Sequence, residues 1–287
     1  CALPISGVVA VLCAQDLPTK NQLMASRNSA ILAKDKVIFH GQPVVVVVAE
    51  SASIAQDAID KVFIDYEPLE SVIDPIKAMS DQSPTIWPDG LPTEISNLSG
   101  AHSAVKAKGE SESKSMNNVY ASQHFERGDI RKGFIEADIV VEKNYKLNSV
   151  HQAYLEPHAV VVEPDIFRGS LTFYTSTQGQ FLVRDEVSRI LSIPKHKIRV
   201  VPMTFGGGFG AKYGILEPLA GAVALTVKRP IRFVLSRSED LQTTTPSPNV
   251  HIFLKTSAKK DGFINALEAR IILDNGIFGL PLSGDRK

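Results

Sequence analysis

Four glycines around one phenylalanine, Gly206-Gly207-Gly208-Phe209-Gly210, constrain this chain more than any other feature. They follow an apolar, strand-like stretch at residues 198–203 and precede a helix-like stretch from Leu216 to Val227. Glycine adopts positive φ freely and lets the backbone approach a ligand closely. A helix that begins behind such a loop leaves unpaired N–H groups at its first turn. The loop is therefore predicted to bind an anionic or oxo group, with the phenylalanine as a shaped wall.

Nucleotide-binding loops are the first alternatives to weigh. The pattern Gly206-x-Gly208-x-x-Ala211, with Glu239 after the next predicted strand, satisfies a loose dinucleotide-binding fingerprint and leaves a Rossmann-type NAD-binding dehydrogenase open. A P-loop is excluded, because Ala211 precedes Lys212 and Tyr213 follows it where Ser or Thr is needed. A loop required only for close packing is the third possibility.

Composition narrows the class of partner. The 287 residues carry 31 Lys plus Arg and 31 Asp plus Glu, so the net charge is zero and no nucleic acid or membrane partner is expected. The longest apolar run, residues 43–49, is too short to cross a bilayer. Cys1 and Cys13 are the only cysteines, which excludes an iron–sulfur cluster or structural zinc held by this chain alone. Two cysteines favour a reducing compartment, and we expect a cytoplasmic protein with a small-molecule substrate.

The first part of the chain is predicted to form a small α/β domain over residues 1–78. Residues 44–49 form a β-branched run typical of a buried strand. Ser53 with Gln56 then predicts a capped helix, and residues 62–66 predict a return strand, which completes a β-α-β unit. Residues 79–118 are rich in proline, serine and charge, and they predict a linker that is partly ordered around Trp87.

Residues 119–287 predict a second, mixed domain, so the fold class is α+β. An apolar helix face runs from Phe181 to Leu191, and a second helix is predicted over 216–227. The strand predictions are residues 140–145, 159–163, 171–175, 198–203, 231–235 and 267–273.

Two short segments contain candidate chemistry besides the glycine loop. Residues 151–158 hold two histidines and Glu156; Glu156 and His158 could contact a metal, but a hydrogen-bonded structural cluster is the favoured interpretation. Ser176-Thr177-Gln178 ends one predicted strand and opens a helix. Ser or Thr there could simply cap the helix. Taken together with the glycine loop, Gln178 is predicted to donate its amide to an oxo ligand.

These pieces, taken in order, resemble the molybdopterin-binding large subunit of the xanthine dehydrogenase/aldehyde oxidase family of molybdenum hydroxylases. The resemblance covers nearly the whole chain and rests on Gly41-Gln42-Pro43-Val44, Asp65 to Leu69, Gly128-Asp129-Ile130, Glu156-Pro157-His158, Ser176-Thr177-Gln178, Gly206 to Gly210 with Lys212, and Arg229-Pro230 with Ser236 to Asp240.

The resemblance implies the family's α/β hammerhead domain followed by part of its molybdenum-binding domain, with a molybdopterin-type cofactor. Gln178 is similar to the glutamine that hydrogen-bonds the apical oxo ligand of molybdenum, and Gly208, Phe209 and Gly210 match the loop beside that ligand. The implied activity is hydroxylation with water as the oxygen source, and electrons leave through Fe–S clusters to FAD on other domains or subunits. Fixed donors aimed at the oxo group would supply electrostatic stabilisation, and the cofactor would supply the redox chemistry.

Two departures from the family pattern limit what the resemblance implies. Tyr213 stands where the xanthine-oxidising branch has an acidic residue, which favours an aldehyde or N-heterocycle as substrate; Tyr213 and Tyr154 are the candidates for the substrate side. The family's base glutamate lies beyond Lys287, so no catalytic group is assigned within this chain. We therefore expect a truncated or naturally split subunit, completed by the remaining part of the molybdenum subunit and by Fe–S and FAD partners. A non-catalytic assembly subunit is the alternative.

Overall fold

The computed structural model describes residues 5–19, 31–87, 118–119, 122 and 124–277. These residues form two compact units, the first built from residues 5–19, 31–68 and 151–245 and the second from the remainder. Residues 88–117, which make up most of the predicted linker, lie outside the described residues, as does Cys1.

The early part of the first unit is a two-stranded antiparallel sheet with one helix. Strand β1 (Val8–Leu12) pairs with β2 (Val46–Ala49), and helix α1 (Ala52–Ile59) follows. The strand and helix predictions are confirmed, although the capping residue is Ser51 rather than Ser53: its side chain accepts a 3.3 Å hydrogen bond from the Ile54 N–H.

The predicted return strand at residues 62–66 is wrong. This segment has no strand structure, and its Phe63 is 87% exposed. β-Branched and aromatic residues favour an extended backbone, but a strand also needs a partner for its hydrogen bonds. In the described part of the chain β2 pairs with β1 and no strand pairs with residues 62–66, so the β-α-β unit does not form.

The later part of the first unit is a four-stranded sheet in the order β6-β5-β4-β7. Its strands are β4 (Ala159–Asp165), β5 (Ser170–Thr175), β6 (Ile198–Pro202) and β7 (Ile231–Val234). Helices α4 (Gln180–Leu191) and α5 (Glu217–Val227) pack on it, and α6 (Arg237–Thr243) follows β7. Residues 217–224 of α5 are all buried, which places this helix in the core.

The sheet topology overturns the Rossmann alternative. Only β5 and β6 run parallel, whereas β4 is antiparallel to both of its neighbours. A dinucleotide-binding domain needs a mostly parallel sheet. Glu239, the candidate ribose-binding acid, instead accepts a 2.7 Å hydrogen bond from the Ser236 N–H and closes the capping box of α6.

Gly41 joins the early and late parts of the first unit. Its φ is +83°, and a Cβ added there would lie 2.4 Å from the carbonyl oxygen of Gln242. The Thr243 hydroxyl donates a 3.1 Å hydrogen bond to the Gly41 carbonyl across 202 positions of sequence. Only glycine permits this close contact with α6.

The second unit is a three-stranded antiparallel sheet in the order β3-β8-β9. Its strands are β3 (Ile139–Leu147), β8 (Asn249–Ala258) and β9 (Ile264–Asp274), accompanied by α2 (Pro75–Ala78) and α3 (Ile130–Ile135). The Trp87 indole N–H donates a 2.9 Å hydrogen bond to the Ile277 carbonyl, so this part of the linker is ordered as predicted. None of the helices in the described ranges has the length and apolar character that a bilayer crossing requires.

Candidate functional site

The glycine loop begins four residues after β6 and turns on residues with positive φ. Gly207 has φ +95°, Phe209 +49° and Gly210 +92°. Positive φ is costly for a residue with a side chain, so Phe209 holds a strained conformation. Its ring is 74% exposed and lies over Gly207, where an added Cβ would be 2.9 Å from the ring. The loop therefore presents an aromatic side chain to solvent.

Gln178 lies directly against this loop. Its side-chain oxygen accepts hydrogen bonds from the backbone N–H of Gly210 (2.9 Å) and of Lys212 (3.4 Å). The backbone N–H of Gln178 donates to the Lys212 carbonyl (3.0 Å). A Cβ at Gly208 would lie 2.4 Å from the Gln178 oxygen and 2.6 Å from its amide carbon. The structure thus brings together the four residues predicted to bind the cofactor.

Two backbone donors on the oxygen determine which way the Gln178 amide faces. Because the oxygen is held by the loop, the Nε2 atom is the end that remains for a ligand. No hydrogen bond within the described residues uses this Nε2, and none uses the N–H of Gly207, Gly208 or Phe209. Gly210 was predicted to bind the cofactor, but its N–H donates to the Gln178 side chain and is therefore not available to a ligand.

The helix behind the loop contributes less than predicted. Helix α5 begins at Glu217, seven residues after Gly210, and Glu217 is the acidic residue of its first turn. Glu217 is 2% exposed and accepts a 2.6 Å hydrogen bond from the Thr175 hydroxyl. Burial raises the pKa of Glu217, although the hydrogen bonds from Thr175 and from nearby backbone N–H groups act in the opposite direction. Its Oε2 atom is buried without a partner in the described residues.

Lys212, the last residue of the loop motif, is buried in an ion pair. Its ammonium donates to the Glu156 carbonyl (2.8 Å) and carboxylate (3.0 Å), and it lies 4.7 Å from the ring centroid of Tyr154. The Glu156 carboxylate also accepts a 2.8 Å hydrogen bond from the Gly206 N–H. The Lys212 side chain is fully buried, whereas that of Glu156 is 35% exposed. This pair ties the start of the loop to its end.

His158 and Tyr154 belong to a second, buried group around Asp240. The Asp240 carboxylate accepts from the His158 ring N–H (2.8 Å) and backbone N–H (3.0 Å) and from the Tyr154 hydroxyl (3.3 Å). Tyr154 is 1% exposed, and its hydroxyl also lies within hydrogen-bond distance of Thr244. The prediction of a hydrogen-bonded cluster is confirmed. No finding tests the substrate role of Tyr154, which stays a prediction.

Burial and hydrogen bonding set the pKa values in this group. Burial raises the pKa of Tyr154, which keeps the phenol neutral and able to donate. For Asp240, burial acts to raise the pKa, but the hydrogen bonds from His158 outweigh it and the pKa is lowered. Burial likewise lowers the pKa of His151, against the opposing charge of Asp240.

Tyr213, the other substrate candidate, is half-buried beside the start of α4. A Cβ added at Gly179 would lie 3.2 Å from its ring, so the ring packs on Gly179, next to Gln178. Gly179 is the N-cap of α4 and makes no side-chain cap, while its N–H donates to the Thr177 hydroxyl. In the described ranges, no three His, Cys, Asp or Glu residues lie close enough to hold a metal ion.

Sequence reasoning missed the partners of these groups. Lys212 contacts Glu156 across 56 positions, and Asp240 contacts His158 across 82. Each of these residues lies in one of the sequence motifs described above, but no local pattern predicts which motif contacts which.

A carboxamide held against a glycine loop, with its amide nitrogen and loop N–H groups lacking partners among the described residues, presents donors of the kind that bind an oxo or anionic group. The chain matches the molybdopterin cofactor-binding domain over residues 111–284 and the hammerhead domain of aldehyde oxidase and xanthine dehydrogenase over residues 1–70. It therefore belongs to the aldehyde oxidase and xanthine dehydrogenase family of molybdopterin-binding proteins.

Individual relatives and solved structures of this family are similar to the chain over nearly its whole length. The chain is 34% identical over 283 residues to the carbon monoxide dehydrogenase large chain of Afipia carboxidovorans, which covers 96% of this chain and 33% of the relative. It is 30% identical to the nicotinate dehydrogenase large molybdopterin subunit of Eubacterium barkeri, covering 96% and 59%. The structure of reconstituted CO dehydrogenase from Oligotropha carboxidovorans matches with a TM-score of 0.73 at 32% identity, covering 94% of this chain and 33% of that one. The chain thus spans from a third to somewhat over half of the length of these relatives.

Proposed function

We propose that this chain is part of the molybdopterin-binding subunit of a molybdenum-dependent hydroxylase. The observation that carries the proposal is the Gln178 side chain, whose oxygen is fixed by the Gly210 N–H at 2.9 Å and whose amide nitrogen has no partner in the described residues. The Gln178 amide nitrogen and the N–H groups of Gly208 and Phe209 would hold an oxo group of a molybdopterin cofactor. The cofactor, when bound, supplies the redox chemistry.

The role of this chain's own residues is to orient the cofactor and to hold the glycine loop in place. Gln178 would donate its amide to the oxo group when the cofactor is bound, Gly208 makes room for the Gln178 side chain, and Phe209 would form a wall beside the site. Gly210 positions Gln178 through its N–H. Lys212 and Glu156 hold the two ends of the loop together.

The substrate we propose is an aldehyde or an N-heterocycle. Support comes from Tyr213, a neutral phenol next to Gln178 at the position where the xanthine-oxidising branch has an acid. A neutral phenol has one hydroxyl and no negative charge, so it cannot accept the hydrogen bonds from a purine ring that a carboxylate accepts. Tyr213→Glu in the assembled enzyme is expected to raise kcat/KM for xanthine relative to that for an aldehyde.

Further parts belong to the same proposal. Fe–S clusters and FAD lie on other domains or subunits and carry electrons away, and the enzyme is cytoplasmic. We keep the domain boundaries as residues 1–78 for the hammerhead domain, 79–118 for the linker and 119–287 for the first part of the molybdopterin-binding domain.

The test compares two substitutions of Gln178 in the enzyme complex purified from its source. Gln178→Glu keeps an acceptor for the Gly210 N–H but removes the NH₂ donor, whereas Gln178→Ala removes both. Both should lower turnover by about tenfold or more, the effect of losing one aimed donor. Only Gln178→Ala should also loosen the loop, seen as faster amide exchange at residues 206–212.

Gln180→Glu is the matched control, because Gln180 is the first residue of α4 and its side chain makes no hydrogen bond within the described residues. It should leave turnover unchanged. Elemental analysis should find molybdenum at about one atom per complex, the stoichiometry of one cofactor per molybdenum subunit. Unchanged turnover in Gln178→Glu, or a complex without molybdenum, would overturn the proposal and favour an assembly role.

A further inference from the structure

Two buried polar atoms of the first unit have no hydrogen-bond partner among the described residues. They are the Nε2 atom of His158 and the Oε2 atom of Glu217. Both side chains lie inside the protein, since His158 is 3% exposed and Glu217 is 2% exposed. A buried polar atom without a partner is strongly unfavourable, and nearly all such atoms in folded proteins bond to protein or to ordered water.

The two side chains lie on the same, helix-covered face of the β4-β5 ladder. Val160 is buried and pairs with Thr175. His158 is two positions before Val160, and its carbonyl accepts a 3.0 Å hydrogen bond from the Leu235 N–H, which continues the ladder with β7. His158 and Thr175 are therefore diagonal neighbours on one face, about 7–8 Å apart along the backbone. Helix α5 packs on β4 and places Glu217 against the Thr175 hydroxyl at 2.6 Å.

The separation of the two side chains suits an intervening water. In the described residues, no direct hydrogen bond or ion pair joins His158 to Glu217. They are nevertheless close enough to interact: burial raises the pKa of Glu217, whereas the hydrogen bond from Thr175 and the charge of His158 act to lower it. Two hydrogen bonds of about 2.8 Å through one water span a gap of about 5 Å.

The donors and acceptors around the two atoms also match a water. The carboxylate of Asp240 can only accept, so the Nδ1 atom of His158, at 2.8 Å, carries the proton of the neutral ring. The Nε2 atom is then an acceptor. On the other side, the Thr175 hydroxyl donates to Oε1 of Glu217, which leaves Oε2. A water can donate to Nε2 and can either accept from or donate to Oε2.

We propose that one buried water molecule bridges the Nε2 atom of His158 and the Oε2 atom of Glu217. Asp240, His158, the water, Glu217 and Thr175 then form one continuous hydrogen-bonded chain across α6, β4, α5 and β5. This chain joins the buried cluster around Asp240 to the end of β5, which leads into Gln178. The water site does not depend on the proposed function, because it is satisfied with or without a cofactor.

A crystal structure of the full-length protein purified from its source tests the water site directly, at a resolution that shows ordered waters. One water should lie about 2.7–3.2 Å from both His158 Nε2 and Glu217 Oε2. A direct hydrogen bond between the two side chains would overturn the proposal. Separate waters on each atom, or no density between them, would also overturn it.

Crystal structures of three variants test which groups hold the water. Glu217→Gln keeps a polar atom at the end of the side chain and should retain the water. Glu217→Met has a similar length without the polar atoms and should expel it. His158→Asn keeps a donor for Asp240 but has no atom at the Nε2 position, so it should expel the water too. A water that persists in both Glu217→Met and His158→Asn is held by other groups and would overturn the proposal.

Urea unfolding of the full chain gives a second readout. Because Glu217→Met and His158→Asn each break the same bridge, the double variant should have an unfolding equilibrium constant about tenfold lower than independent effects predict. Glu163→Ala is the control, because Glu163 is exposed on the opposite face of β4, and its effect should multiply with that of Glu217→Met. Independent effects of Glu217→Met and His158→Asn would overturn the proposal.

Discussion

The side-chain oxygen of Gln178 accepts a hydrogen bond from the Gly210 N–H at 2.9 Å, across 32 positions of sequence. A strand-to-helix junction and a glycine loop are thereby joined at the atoms that matter for binding. The oxygen is used to fix the loop, and the nitrogen is what remains for a ligand. Other long-range contacts of the first unit give four testable predictions on stability.

The Lys212–Glu156 pair should be asymmetric. Glu156→Ala leaves the fully buried ammonium with the backbone carbonyl as its only hydrogen-bond acceptor in the described residues, whereas Lys212→Met leaves a carboxylate that is 35% exposed and can be hydrated. We expect Glu156→Ala to lower the free energy of unfolding by about 3 kcal/mol and Lys212→Met by about 2 kcal/mol, near or below the range for breaking a buried pair. Urea unfolding measures both. A double variant that is no more stable than Glu156→Ala alone would contradict this account.

Glu217 should make the protein less stable as pH rises. Its pKa is raised in the folded state, so the folded protein holds this proton at pH values where the unfolded chain, titrating near 4.5, has released it. Stability from this group is present below the unfolded pKa and is lost as pH rises toward the folded pKa. Glu217→Gln should remove this dependence, measured as the free energy of unfolding between pH 4 and 8. The exposed Glu142→Gln is the control, and an unchanged profile in Glu217→Gln would rule out the effect.

Asp240 should make the protein less stable as pH falls. Its pKa is lowered in the folded state, so its stabilisation is present above the unfolded value of 3.8 and is lost as pH falls through the folded pKa. Asp240→Asn should cost about 2 kcal/mol at neutral pH, through hydrogen bonds to a charged group, and should flatten the acid limb of the stability curve. Acid unfolding followed by circular dichroism tests this. Asp57→Asn, on the exposed surface of α1, should retain the wild-type acid limb.

Gly41→Ala should be among the most damaging small substitutions. The added Cβ meets the Gln242 backbone at 2.4 Å and also requires positive φ. We expect a loss of about 3 kcal/mol or more, since backbone cannot move aside cheaply. Gly262→Ala shares the positive φ (+90°) but has open space, and should cost only about 1 kcal/mol. Equal thermal melting shifts for the two variants would contradict the contact.

Local sequence pattern predicted most of the elements but few of the contacts between them. The strands β4, β5, β6 and β7 and the helices α4 and α5 follow from apolar periodicity, and the observed bounds lie within a few residues of the predicted ones. Residues 62–66 show the limit, because a sequence can favour an extended backbone without supplying a partner strand.

For the candidate site, too, the sequence predicted the local motifs but not the contacts between distant residues. Residue type and a family resemblance placed Gln178 with the glycine loop. The buried partners of Lys212 and His158 lie 56 and 82 positions away, and only the folded chain brings them together. Nor could the sequence indicate that the Gly210 N–H would be bonded to Gln178, since that depends on the backbone conformation of the loop, which has positive φ at Gly207, Phe209 and Gly210.

The hydrogen bond from Thr243 to Gly41 has a consequence for biosynthesis. At about 5–20 residues per second, a ribosome needs roughly 10–40 s to supply the later residue after the earlier one. During that interval Gly41 lacks its contact with α6, and for most of it β1 also lacks the helix α5 that packs on it in the folded chain. Nascent chains of this protein should therefore depend on holding chaperones until translation has passed residue 243 and that residue has left the exit tunnel.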